Sequence, residues 1–185
     1  MDIDGADIRA LRKVRGLTLA EAATRLGKSI GWLSQVETGK SRLAPADLLD
    51  MAEALDAPVS LLAPSGVAAE RGTVTRAGHG RPLGERVPGL DERLLSPDLT
   101  DGFELIHSVF APGSRRDDPV DRPTTEVVHM LSGSLRIWLA EVEHTLRPGD
   151  TARLRDAPFR WANPFPEPAV ALWFITPAIY TQDAR

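Results

Sequence analysis

The chain has 185 residues, 42% apolar and 26% charged, with a formal net charge of -4. This is the composition of a folded soluble protein with room for a module of about 60 residues beside a medium one. It contains no Cys, which excludes disulfides, thiolate chemistry and Cys-based zinc sites, and its longest apolar run, over residues 169–175, is far short of the roughly 18 to 20 residues that span a bilayer.

Met1-Asp2-Ile3-Asp4 is acidic, with no basic stretch leading into an apolar one, so no secretory signal is expected and the expected location is the cytoplasm, away from membranes. Charge is unevenly distributed. Residues 1–43 hold eight basic side chains against five acidic ones, whereas residues 44–65 hold Asp47, Asp50, Glu53 and Asp56 and no base. A segment so polarised offers one face to phosphate and turns the other away.

In chain order, Ile8, Leu11 and Val14 or Arg15 fall at helical spacing, and Gly16 ends that helix. Thr18-Leu-Ala-Glu21 has the form of a capping box and opens a second helix reaching Leu26. Gly27 supplies a tight turn, Ser29 an N-cap, and Leu33 and Val36 the apolar stripe of a third helix stopping at Gly39. Pro45 suits the first turn of a fourth helix, whose expected buried face is Leu48, Leu49, Met51, Ala52 and Leu55 and whose end is Pro58. Residues 63–72 have no periodicity and read as a linker. Twelve of the fifteen prolines follow, among short β-rich runs at 73–76, 103–110, 125–131, 135–140, 151–154, 159–163 and 169–175, which predict a sandwich or barrel. The expected organisation is an all-α domain over 1–62, a linker over 63–72 and an all-β domain over 73–185.

Two short helices joined by a glycine turn, the second capped by Ser, form a helix-turn-helix. The run from Leu17 to Lys40, with its ending Leu33-Ser34-Gln35-Val36-Glu37-x-Gly39, resembles the phage-repressor-like (XRE) helix-turn-helix family over about residues 5–62. The resemblance implies that the third helix enters the major groove of double-stranded DNA. By position, Ile30, Gly31, Ser34 and Gln35 would then face base edges, with Gln35 suited to bidentate pairing with adenine. Phosphate contacts are expected from Thr18, Lys28, Ser29, Lys40 and Arg42. Trp32 has two readings, packing on the sugar-phosphate backbone or covering the helix. The resemblance also implies a structural ion pair between Arg12 and Glu37. A purely protein-binding role for this module is the alternative.

Glu126, Leu131-Ser-Gly133-Ser, Pro148-Gly149-Asp150 and Asn163 resemble the two conserved segments of a cupin barrel over roughly 73–178. Metal-binding cupins carry two His shortly before that Glu, where this chain has Pro119, Val120, Asp121 and Arg122, and a third four residues before that Asn, where it has Phe159. One carboxylate does not hold a first-row metal, so no metal or other cofactor is expected. With Ser132-Gly133 as the centre of a hairpin turn, Glu126, Val128, Met130, Leu135, Ile137 and Leu139 share one face, which the resemblance of Glu126 to the cupin carboxylate implies is the inner one, while Val127, His129, Leu131, Arg136 and Trp138 then point outward, to be covered by a second barrel or by the helical module. A register slip of one residue would exchange the two lists. With Phe159 and Trp161 added, the residues Glu126, Val128, Met130, Ile137, Phe159 and Trp161 outline an expected site for a small apolar effector bearing a cationic or hydrogen-bond-donor group. A filled barrel without ligand, or an anion site if Arg153, Arg155 or Arg160 points inward, are the alternatives.

The expected whole is a non-enzymatic transcription regulator, a homodimer on a near-palindromic operator with a small-molecule effector. Its rivals are a cupin enzyme of isomerase or hydrolase type with a helical appendage, and a DNA-binding protein whose barrel only dimerises.

Overall fold

The computed structural model describes residues 3, 5–62, 70, 72–84, 86–155 and 157–179, so the expected linker lies, apart from Glu70 and Gly72, outside the described residues. Two compact units emerge. One takes in the chain up to Arg81 together with Ser96–Gly102 and the residues from Ala178, the other Pro82–Leu95 and Phe103–Pro177.

In the first unit the described residues form α1 (Gly5–Val14), α2 (Leu19–Arg25), α3 (Ile30–Glu37) and α4 (Leu48–Ala54), with 3-10 turns at Pro45–Asp47 and Val59–Leu62. The capping box at α2 is complete: the Thr18 hydroxyl accepts from Glu21 N, and the Glu21 carboxylate accepts from Thr18 N. Ile8, Leu11, Leu33, Val36, Met51, Leu55, Leu61 and Leu62 are buried as one apolar core. Leu49, expected on that core, is 67% exposed. At 3.6 residues per turn, Leu48, Met51, Ala52 and Leu55 line up, and their neighbour Leu49 falls off the stripe.

Close approach, not hydrophobicity alone, orders the bundle. A Cβ at Gly5 would lie 2.0 Å from the Val36 carbonyl oxygen, so the start of α1 meets the end of α3 at a distance only glycine tolerates. The carbonyls that end α4 are covered by Arg15, just after α1, and Arg25, the last residue of α2: Arg15 Nη2 donates to Asp56 O at 2.6 Å and Arg25 Nη1 to Ala54 O at 3.2 Å.

The β-rich part comprises β1 (Arg81–Pro82), β2 (Leu90–Leu94), β3 (Glu104–Phe110), β4 (Arg115–Val120), β5 (Thr125–Ser132), β6 (Leu135–Leu139), β7 (Val142–Leu146), β8 (Thr151–Leu154), β9 (Phe159–Ala162) and β10 (Ala169–Thr176). They pair as a six-stranded sheet, β1-β2-β3-β10-β5-β8, and a four-stranded sheet, β4-β9-β6-β7. Residues 73–76, expected as a strand, are turn and irregular chain. In their place β1, β2, β4 and β7 come from charged stretches such as RRDDPV and VEHTL, each of which buries only one or two side chains. So little alternation leaves no period-2 signal to read.

The expected hairpin between β5 and β6 does not form. β5 pairs with β10 and β8, β6 with β7 and β9, so the chain crosses from one sheet to the other at Ser132–Ser134. Gly133 makes that corner possible: its φ is +68°, and a Cβ there would lie 2.3 Å from Pro168 O. The inward list survives the mispairing for Glu126, Val128, Met130, Leu135 and Ile137, all buried because both sheets face one core, while Leu139 at the end of β6 is only half-buried. Trp138, expected to need a covering module, is half-buried, with the guanidinium of Arg160 4.9 Å and that of Arg136 5.9 Å from its ring centroid.

Candidate functional site

Two places in the molecule gather polar chemistry. The first is the exposed side of α3. Ser29 caps the helix, its hydroxyl accepting from Trp32 N at 3.1 Å, while Leu33, Val36 and Glu37 turn inward. The opposite side presents Ile30, Gly31 and Gln35, all exposed, and half-buried Ser34. Ile30 is 52% exposed, an apolar side chain on a helix surface with nothing of its own unit to cover it.

Glu37 is the anchor of this geometry. Arg12 Nε and Nη2 donate to its two carboxylate oxygens at 2.6 and 2.9 Å, and Arg12 Nη1 donates to Leu17 O at 2.8 Å. One guanidinium thus joins α1, the turn before α2 and the end of α3, as the sequence resemblance implied. Hydrogen bonding to Glu37, opposed by burial, raises the Arg12 pKa above its usual value.

The expected phosphate contacts sort differently. Lys28 Nζ lies 2.9 Å from Asp47 and 5.2 Å from the Trp32 ring centroid, so this lysine and tryptophan are joined to the start of α4. The Thr18 hydroxyl donates to Glu21 Oε2 at 2.6 Å, inside the capping box. Gln35 Oε1 accepts from Ser41 Oγ at 3.0 Å, which orients the amide and leaves Nε2 outward. Bidentate adenine pairing would use Nε2 as donor and the second lone pair of Oε1 as acceptor, so the Ser41 bond can hold the amide in place for it. Lys40 and Arg42, just beyond α3, are exposed. The local excess of base is therefore smaller than its count, since Arg12, Arg15, Arg25 and Lys28 all serve the fold.

The second place is a cavity of about 740 Å³ at one end of the barrel, lined by loop 121–124, the start of β5, Leu154, Arg155 and the segment from Ala157 to Phe159. Of the six residues expected to line an effector site, Glu126 and Phe159 border it; Val128, Met130 and Ile137 are wholly buried and Trp161 nearly so, packed in the core behind it. Phe159 stacks on Trp173 at 5.7 Å. Arg153, on the outer side of β8, pairs opposite Val127, and Arg160 lies over Trp138, so of the three arginines only Arg155 borders the cavity.

Glu126, 1% exposed, is held from the loop before it. Its Oε1 accepts from Arg122 Nε at 2.6 Å and from Thr124 Oγ1 at 3.0 Å, while Oε2 is buried with no hydrogen-bond partner. A second buried carboxylate, Glu104, shares the inner face, since both glutamates pair opposite Ile175 of β10. It does not line the cavity.

The residues present do not fit the metal ion of metal-binding cupins. Among the described residues no three His, Asp or Glu side chains converge on one point, and a guanidinium already occupies Glu126 Oε1. The histidines lie elsewhere: His129 Nδ1 is bonded to Thr151 Oγ1 at 2.8 Å and His79 Nδ1 to Ala77 O at 3.1 Å. Sequence reasoning noted Arg122 only as a missing ligand and passed over Thr124. Their i-4 and i-2 spacing from Glu126 carries no contact signal outside regular structure.

Residues 5–64 match the helix-turn-helix domain family and residues 106–175 the cupin domain family. An HTH-type transcriptional regulatory protein of Methanocella arvoryzae is 31% identical over 112 residues, which are 60% of this chain and 34% of that protein; the chain thus spans about a third of that curated relative. An HTH_3 family transcriptional regulator from Vibrio cholerae of known structure is similar over 95% of both chains, at 24% identity and a TM-score of 0.44. KdgF from Halomonas sp. aligns with 58% of this chain and 96% of its own, at 14% identity and a TM-score of 0.50, a likeness of fold alone. No helix among the described residues is long and apolar enough to cross a membrane. The chain thus joins a helix-turn-helix domain over residues 5–64 to an all-β cupin domain matched over residues 106–175.

Proposed function

We propose that this protein is a DNA-binding transcription regulator of the cytoplasm that works as a homodimer on a near-palindromic operator, with a barrel that binds a small-molecule effector without a metal and performs no catalysis. Residues 1–62 form the DNA-binding domain, 63–72 the linker and 73–185 the sensor and dimerisation domain. The observation that carries the reading is the division of α3: its inner side is fixed by Leu33, Val36 and the Arg12–Glu37 pair, and its outer side presents Ile30, Gly31 and Gln35 with Lys40 and Arg42 beyond. A helix so anchored offers base-reading groups on a rigid support, with cations to engage the flanking phosphates.

One such helix reaches few bases, and a two-fold pair of heads doubles them at half-sites about one helical turn apart. The cavity beside Glu126 supports the effector role, because it combines an apolar wall with a few convergent polar groups. The enzyme alternative requires an acid–base pair at the cavity. At Glu126 one carboxylate oxygen is already engaged by Arg122 at 2.6 Å and Thr124 at 3.0 Å.

Fluorescence anisotropy of the full chain on mixed-sequence duplexes tests the proposal. Binding is expected, with log affinity falling linearly as log salt concentration rises. Failure to bind any duplex at low ionic strength would overturn it.

A further inference from the structure

We propose that the open end of the barrel takes an uncharged, polyhydroxylated small molecule, with Glu126 as hydrogen-bond acceptor and Arg122 as a built-in cation in place of a metal ion. The inference rests on the effector reading above and gives that effector its chemistry.

The starting point is the asymmetry of one carboxylate. Glu126 Oε1 is saturated by Arg122 and Thr124, whereas Oε2, buried to the same degree, receives nothing from the protein. A buried acceptor without a donor is costly, and Glu126 borders the cavity, so a molecule bound there gains by donating to Oε2 in place of water. Three kinds of donor come into question: a divalent ion, an organic cation and a neutral hydroxyl. A divalent ion needs several imidazole or carboxylate ligands, and the described residues do not assemble them. An organic cation at Oε2 would share the carboxylate with the Arg122 guanidinium, and like charges so close in a poorly screened pocket repel. A hydroxyl donates to Oε2 without adding charge.

The rest of the lining extends the match. On the loop before Glu126, Asp121 offers a further carboxylate and Thr124 a hydroxyl oxygen able to accept, while Leu154, Pro158 and Phe159 present apolar surface. A molecule with several hydroxyls on a compact carbon frame, such as a monosaccharide or its reduced alditol, satisfies both sides: hydroxyls to the polar groups, C–H faces to the apolar wall. The volume of about 740 Å³ admits a compound of that size.

The test is a thermal-shift screen of the full chain, followed by calorimetry, with three probe sets at millimolar concentration: neutral monosaccharides and alditols, short aliphatic diamines, and the chlorides of manganese, nickel and zinc. A member of the first set is expected to raise the melting temperature. Asp121→Ala and Phe159→Leu, which leave the Arg122–Glu126 pair intact, should each weaken that compound about tenfold, whereas a general osmolyte effect would be the same in both variants and in the original protein. Glu126→Gln should abolish binding, but the two milder variants decide the matter if it folds poorly. Stabilisation by a diamine or a metal chloride in place of the neutral set would overturn the ligand class and leave the effector reading standing. No stabilisation by any set would overturn both, and a polyol effect untouched by Asp121→Ala and Phe159→Leu would move the site elsewhere.

Discussion

The exposed side of α3 and the cavity beside Glu126 use an Arg–Glu pair in different ways. In the helical unit the pair lies behind the recognition surface: both oxygens of Glu37 are taken by Arg12, and the groups that would meet DNA stand on the opposite side of the helix. In the barrel the pair is part of the candidate site, and one oxygen of Glu126 is left open. A fully satisfied pair gives rigidity; a half-satisfied one gives rigidity on one side and an open hydrogen-bond position on the other.

Removing each pair sharpens this contrast, and the helical one should cost most. Arg12→Ala leaves Glu37, with a side chain only 4% exposed, charged and alone, and a loss of about 3 to 5 kcal/mol is expected in urea unfolding of the helical unit. Arg12→Met combined with Glu37→Leu should recover much of it. If the single variant cost nothing, the pair would not be the anchor described here.

In the barrel, Gly133→Ala combines a positive φ with a Cβ contact of 2.3 Å to Pro168 O. A cost of about 1 to 3 kcal/mol is expected by thermal or denaturant melting, and a neutral result would show that the corner yields. At α3, Ser29→Ala removes an N-cap and should lower stability by about 1 kcal/mol. Lys40→Ala should weaken all duplexes alike and reduce the slope of log affinity against log salt by about 1; an unchanged slope would remove Lys40 from the phosphate set.

The smallest effect concerns pH. Hydrogen bonds from the Thr18 hydroxyl and amide hold the Glu21 carboxyl below the usual carboxylate range. That contribution is present above the unfolded value and is lost as pH falls through the lowered one. Glu21→Gln should therefore leave stability at neutral pH almost unchanged and make the acid limb of the stability profile slightly shallower. An acid limb identical to that of the original chain would show that the capping box does not titrate.

What was legible in the sequence follows the range of the interactions. The capping box and the Ser29 cap depend on residues three apart and were readable directly. The Arg12–Glu37 pair spans 25 positions and came from family resemblance alone. Inward and outward parity was readable on β5 and along β6 as far as Ile137, because alternation is a property of one strand, but the pairing of β5 with β10 was not. A hairpin turn and a corner between sheets call for the same glycine, and only the approach of Pro168 distinguishes them. Likewise Arg122 was noticed for the histidine it replaces, while its grip on Glu126 depends on the path of loop 121–124.

Selection of bound fragments from random-sequence DNA, run in parallel with the original chain and with Gln35→Ala, tests most directly whether the outer side of α3 reads bases. Two half-sites related by a dyad, with centres about 10 base pairs or a multiple apart, should be recovered with the original chain. The variant should lose preference at one position in each half-site, by about 1 to 3 kcal/mol. A recovered pool no different from the input, or a site that Gln35→Ala leaves untouched at every position, would contradict this placement.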